Sequence, residues 1–291
     1  MTGVRSIGTT ASGATAGGRN RRRADSGSKE GDEHMKESNI RKKWERGETV
    51  TGMICFIGAP MVVEIMARAG VDFVIIDMEH CPMDLDRLAH LVRAADAAGI
   101  SPFVRVPEVD ASLIKRVLNL GTEGIVIPHA TEDNCQALVQ AVRYPPQGTR
   151  GACPIVRATR YWPEDWDEYA AAANREVIIL PLLEDKDSID GFEALALIPG
   201  IDAYFVGPYD LSVSLGIPGA AFDEPRMSEA LDRVLDLAKR HGKYVVTTVG
   251  DRQERAYSED MIRRGVHGLV FATDALVLLR ACERLRAYTI P

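Results

Sequence analysis

Three ionisable residues follow directly on an apolar run at Phe73–Ile76: Asp77, Glu79 and His80, in VDFVIIDMEHCP. A short run of β-branched and aromatic residues closed by charge marks a buried strand. Ionisable groups crowded at such an end are costly unless they bind or react with something. The pattern repeats along the chain: Arg105 closes FVR, His129 follows IVIP, Glu184 follows LPLL, and Asp210 lies in FVGPYD. Glu184 and Asp210 end adjacent apolar runs, and two carboxylates so placed suit a hard divalent cation such as Mg²⁺ or Mn²⁺, with waters or substrate completing the shell. The competing readings are a salt bridge or, for Asp210, the cap of a short helix. Arg105 presents a planar fork to a carboxylate or an enolate oxygen, or else pairs with an acid such as Glu79. His80 is a candidate general base, because imidazole titrates near neutral pH. Gly148-Thr149-Arg150-Gly151 offers backbone amides and a guanidinium to an anion. Cys81 reads as a packed thiol.

The elements that must position these residues alternate. Strands are expected at Gly52–Ile57, Phe73–Asp77, Pro102–Val106, Gly124–Pro128, Val177–Leu183, Ala203–Val206, Tyr244–Thr248 and Gly268–Phe271. Helical patterns lie between and around them, at Lys36–Arg46, Pro60–Ala69, Asp84–Ala98, Ala111–Leu118, Glu132–Val142, Glu164–Ala173, Ser188–Leu197, Glu229–His241, Arg252–Arg264 and Asp274–Tyr288. Gly70, Gly99, Gly121, Gly200, Gly242 and Gly265 fall where left-handed helix caps need glycine. Eight strands alternating with helices predict a parallel sheet, and their number favours a closed (β/α)8 TIM barrel over an open doubly wound sheet. No GxGxxG follows the first strand, so a dinucleotide fold loses support. In a barrel the chemistry sits at the carboxyl ends of the strands, where Asp77, Glu79, His80, Arg105, His129, Glu184 and Asp210 fall. Arg143–Pro163 is too long for a connector and reads as a functional loop.

Residues 35–291 are therefore expected to form one barrel domain, and residues 1–34, rich in Gly, Ser, Thr and Arg, a disordered tail. The 291 residues, 46% hydrophobic, suffice for a single large core. A formal charge of −7 advertises neither a nucleic-acid nor an anionic-membrane partner. No apolar run is long enough to span a membrane. Five scattered cysteines without CxxC spacing point to a reducing compartment, the cytoplasm, rather than to a disulfide framework.

Four stretches carry a family resemblance: IDMEHCPMD (Ile76–Asp84), VRVPEVDASLIKRVLNLGTEGIVIP (Val104–Pro128), RYPPQGTRG (Arg143–Gly151) and GIDAYFVGPYDLSVSLG (Gly200–Gly216). The chain resembles the HpcH/HpaI aldolase family of the phosphoenolpyruvate/pyruvate superfamily. The resemblance implies a (β/α)8 barrel and a divalent-metal-dependent carbon–carbon lyase. Such an enzyme cleaves or forms 4-hydroxy-2-oxo acids through a metal-bound pyruvate enolate. It implies Glu184 and Asp210 as metal ligands, Mg²⁺ first with Mn²⁺ or Co²⁺ as alternatives. Arg105 is implied to hold the oxo-acid and its enolate, and His80 to be the base. Asp77 and Glu79 would orient these groups, and the backbone at Tyr209–Asp210 would hold the substrate carboxylate. It also implies a homo-hexamer, a trimer of dimers, whose last helix packs on a neighbour.

Several positions depart from the aldolase pattern. Asn119 stands where an aspartate pairs with the histidine base, Leu182 where a glutamine precedes the metal glutamate, and His129 and Tyr209 where small residues are usual. His129 resembles the macrophomate-synthase-like branch of the family. For this chain that branch implies oxaloacetate decarboxylation, with the enolate added to a second substrate. His129 would there bind that substrate or protonate the enolate.

Overall fold

A computed structural model describes residues 37–250 and 255–289. The expectation for residues 1–34, and the expected helix starts at Lys36 and Arg252, lie outside the described residues. Eight parallel strands close a barrel in sequence order: β1 (Val50–Cys55), β2 (Phe73–Asp77), β3 (Ser101–Arg105), β4 (Gly124–Ile127), β5 (Ile178–Leu183), β6 (Ala203–Val206), β7 (Tyr244–Thr248) and β8 (Gly268–Thr273). The helices are α1 (Asn39–Glu45), α2 (Pro60–Arg68), α3 (Leu85–Ala98), α4 (Ala111–Asn119), α5 (Glu132–Val142), α6 (Trp166–Glu176), α7 (Lys186–Asp190), α8 (Phe192–Ala196), α9 (Pro208–Ser214), α10 (Pro225–Arg240), α11 (Arg255–Arg264) and α12 (Asp274–Thr289). The TIM-barrel expectation holds.

Alternation along each strand divides the apolar residues into two layers. Phe73, Ile75, Phe103, Val126, Leu180, Leu182, Phe205, Val246 and Val270 fill the barrel. Val74, Ile76, Val104, Ile125, Ile127, Ile179 and Val206 face the helices. The interior leaves no room for a side chain at Gly52, where a Cβ would lie 2.3 Å from the Phe73 ring. α1 plugs the amino-terminal mouth. Its Ile40 and Trp44 join the interior cluster, Trp44 stacks on Tyr244 at 4.6 Å, and Arg41 forks onto Asp202.

The expected strand bounds hold to within two residues, and the six expected cap glycines all have positive φ, Gly99 ending α3 at +77°. Three differences matter. The helix expected at Ser188–Leu197 is two helices meeting at Gly191. α10 begins at Pro225, because Glu224 caps it by accepting from the Arg226 and Met227 amides. The GPYDLS stretch is itself a helix, α9, with Pro208 in its first turn.

Candidate active site

The interior parity of β2, β3 and β5 continues to Asp77, Arg105 and Glu184, so all three aim into the carboxyl-terminal mouth. β2 and β3 pair Asp77 directly with Arg105. The fully buried Asp77 accepts the Arg105 Nε–H at 2.6 Å through Oδ1. Its oxygens also accept the peptide N–H groups of Glu79 and His80, at 3.3 and 3.0 Å. One carboxylate thus fixes both the arginine and the turn carrying the histidine.

Glu79 Oε2 lies 3.1 Å from Arg105 Nε, but the single Nε–H points to Asp77. Glu79 Oε2 is therefore a buried oxygen with charge beside it and no hydrogen bond. Arg105 keeps its terminal nitrogens free of hydrogen bonds among the described residues. Burial opposes its charge, yet the Asp77 hydrogen bond and the charges of Asp77, Glu79 and Glu184 raise its pKa. The side chain of His80 is 57% exposed, its Nε2 3.6 Å from Glu79 Oε2. The Phe56 ring lies 6.5 Å from the imidazole.

Glu184 is 4% exposed. Its Oε1 accepts the His129 peptide N–H at 2.8 Å. Its other oxygen lies against the glycine before α9: a Cβ on Gly207 would come within 3.3 Å of Oε2. Asp210 is in the first turn of that helix, so both acids border one edge of the mouth. Burial raises the Glu184 pKa, and the charges of Asp210 and Glu79 raise it further, against the His129 amide and imidazole, which lower it. Among the described residues no three His, Cys, Asp or Glu side chains form a metal cage. The donor set is two carboxylates, and their mutual repulsion is what a hard divalent cation with a partly aqueous shell relieves. The residues fit such an ion.

His129 has φ +50°, a left-handed backbone rare outside glycine and a mark of functional sites. Asn134 holds it there by donating to its carbonyl at 2.7 Å. Its exposed ring carries Nδ1 3.4 Å from Glu184 Oε1 and 4.0 Å from Asp185 Oδ2. Tyr209 is exposed at the mouth, and Leu182 lies in the interior layer beneath Glu184.

The resemblance sets Asn119 where a residue pairs with the histidine base, and the fold separates the two within one chain. α4 runs back along the barrel, so Asn119, its last residue, stands at the amino-terminal rim, while His80 follows the carboxyl end of β2. The two do not meet within a chain; Asn119 Oδ1 instead accepts from Arg150 Nη2 at 3.5 Å. Arg150 likewise lies away from the mouth. Cys81 is a thiol whose pKa is pushed up to about 11 by burial and by Asp77, in keeping with an unreactive role.

The sequence reading missed Asp274. It follows β8 as Glu184 follows β5, so the strand-end rule would have found it. Its carboxylate accepts from the Phe56 amide at 2.8 Å and the Ile57 amide at 3.1 Å, tying the loop after β1 beside His80.

The family model described as HpcH/HpaI aldolase/citrate lyase matches residues 53–280. A pyruvate aldolase of Rhizobium etli is 31% identical over 251 residues, 86% of this chain and 96% of that one. The crystal structure of an HpcH/HpaI aldolase from Desulfitobacterium hafniense superposes with a TM-score of 0.79 at 30% identity, covering 86% of this chain and 97% of that one. Macrophomate synthase does so with a TM-score of 0.74 at 25% identity, covering 86% and 87%. The chain belongs to the HpcH/HpaI aldolase/citrate lyase family, and with it to the carbon–carbon lyases.

Proposed function

We propose that the protein is a divalent-metal-dependent pyruvate aldolase that cleaves or forms 4-hydroxy-2-oxo acids. The observation that carries this reading is the buried Glu184 carboxylate, oriented by the His129 amide and crowded by Asp210 and Glu79, beside an arginine with unengaged terminal nitrogens. Glu184 and Asp210 would hold the cation, Mg²⁺ first and Mn²⁺ or Co²⁺ by the same oxygens. When bound, it supplies Lewis-acid stabilisation of negative charge on oxygen.

The chain's own residues do the rest. Arg105, clamped by Asp77, directs its terminal nitrogens at the oxo-acid and stabilises the charge that develops as the bond breaks. His80 removes the proton of the 4-hydroxyl. The C3–C4 electron pair then passes to the pyruvate fragment as an enolate, and the other fragment leaves as an aldehyde. Proton return to C3 gives pyruvate. Glu79 steadies His80 and Arg105, and Tyr209 with the first amides of α9 borders the substrate carboxylate. A panel of 4-hydroxy-2-oxo acids, assayed for pyruvate with Mg²⁺ and after chelation, tests the reading. Metal-dependent release is expected with at least one substrate; none across the panel rejects it.

A second reading, oxaloacetate decarboxylation with addition of the enolate to another substrate, is favoured by His129. Its imidazole sits 3.4 Å from Glu184 Oε1, at the edge of the mouth where a second substrate would lie. Oxaloacetate decay at the blank rate with Mg²⁺ present would exclude it.

The protein would act on a small oxo-acid as a homo-oligomer. α12 exposes Val277, Leu278, Leu279 and Leu285 around its axis, apolar surface that suits a neighbouring subunit in a hexamer built as a trimer of dimers. Light scattering showing a monomer would reject that assembly. No described helix is long and apolar enough to cross a membrane. The five free thiols suit the cytoplasm.

A further inference from the structure

A second basic site lies at the other end of the barrel. Arg150, from the GTRG stretch, is only 4% exposed. No described ion pair involves it, and the charges that bear on it are those of the Tyr144 and Tyr169 phenols. Its Nε–H is a buried donor without an acceptor. Nη2 reaches Asn119 only at 3.5 Å, the outer limit of a hydrogen bond. The Tyr144 ring holds the guanidinium in place, 4.4 Å from its centroid. Burying a cation without a counter-charge is expensive.

The guanidinium borders a cavity of about 530 Å³, also lined by Asp96, Glu123, Arg157, Arg160 and Tyr169. Asp96 is spent on Arg157, which it pairs directly. Glu123 is the other lining acid, and the two acids against Arg150, Arg157 and Arg160 leave the wall a net positive charge. Burial pushes the Tyr169 phenol up to about 12, so its hydroxyl stays protonated at neutral pH. α4 ends and β4 begins at this cavity, which puts it at the rim opposite Glu184.

We propose that this cavity is a binding site for a small oxyanion, phosphate or carboxylate, held by the charge of the Arg150 guanidinium that no described carboxylate balances. A guanidinium fork matches both anions bidentately, and Arg160 at the entrance adds attraction.

The test is titration of the full-length protein with inorganic phosphate and, separately, with acetate, at constant ionic strength, read by calorimetry and thermal unfolding. The parent should show saturable binding of at least one anion and a melting temperature that rises with its concentration. The relative responses identify which oxyanion the site takes. Arg150→Met should lose that response and, without anion, melt no lower than the parent, since it removes an unpaired buried charge. Arg160→Gln, at an exposed position, should weaken binding by about fivefold, a loss of one rim charge in a screened setting. It keeps the proposal testable should Arg150→Met not fold. An absent response in the parent, or equal responses in the parent and either variant, overturns the site.

Discussion

Asp77 and Arg105 close adjacent strands in register, and a 2.6 Å hydrogen bond joins the carboxylate to the Arg105 Nε–H. The bond leaves the terminal nitrogens of the arginine for a ligand. It also makes Asp77, which is completely buried, the holder of a site rather than a participant in its chemistry. Asp77→Asn keeps the shape and removes the charge. Breaking a buried pair ordinarily costs roughly 3–5 kcal/mol, but Glu79 stays beside Arg105, so a loss of about 2 kcal/mol is expected in urea unfolding. Pyruvate release should fall at least about a hundredfold, as for other lost preorganised contacts. Unchanged kcat/KM would show that the arginine does not need this anchor.

Glu184 gives a pH signature of known sign. Its folded pKa is raised, chiefly by burial and then by Asp210 and Glu79. Below the unfolded carboxylate pKa the group is protonated in both states and contributes nothing. As pH rises through the folded pKa, ionising it costs more in the folded state, and stability falls. Glu184→Gln should therefore be more stable than the parent at pH 8, with the gap closing near pH 4. Mg²⁺ or Mn²⁺ should raise the melting temperature of the parent at pH 8 and leave Glu184→Gln unmoved. Equal metal responses in the two proteins would contradict Glu184 as a ligand.

His129 trades backbone strain for position. A left-handed non-glycine residue costs roughly 1–2 kcal/mol, part of which glycine would give back in chain entropy. His129→Gly should be more stable by about 0.5 kcal/mol, since it also keeps the amide that Glu184 uses. Its effect on turnover separates the two readings of the enzyme. Oxaloacetate decarboxylation should drop if the imidazole delivers the proton, while aldol cleavage should change little.

Much of this was legible in the chain because barrel strands are short apolar runs cut off by charge. β2, β6 and β7 were located to the residue, since Asp77, the GP dipeptide and the residues around them stop each run. The strand-end rule brought Asp77, Arg105, His129 and Glu184 to one mouth for the same reason. It passed over Asp274, because FATDA carries on without a break into α12. Pro208 and Pro225 open helices whose starts the pattern leaves unmarked: periodicity begins α10 only at Glu229, and α9, seven residues long, is too short to show a period. The split at Gly191 left no mark in the periodicity of the 188–197 stretch. That Asn119 and His80 stand at opposite rims of one chain was not legible, because a resemblance transfers residue identities along the chain, not the rim at which each helix ends. The isolation of Arg150 could not be read at all: lack of a partner is a property of the folded interior.

Asn119→Asp converts that isolation into an ion pair. The new carboxylate would replace the amide whose Oδ1 already lies 3.5 Å from Arg150 Nη2. A buried guanidinium beside it holds the folded-state pKa of an aspartate below its unfolded value of about 3.9. The added stability is then fully present above the unfolded pKa and disappears as pH falls through the folded one. A gain of about 1–2 kcal/mol at pH 7, absent by about pH 2, is expected from a charge-assisted bond to a guanidinium that previously lacked an anion. The same internal anion should compete with phosphate for Arg150 and flatten the phosphate dependence of the melting temperature. If stability follows pH in Asn119→Asp as it does in the parent, with phosphate acting equally on both, then Arg150 has no unmet need for a counter-charge.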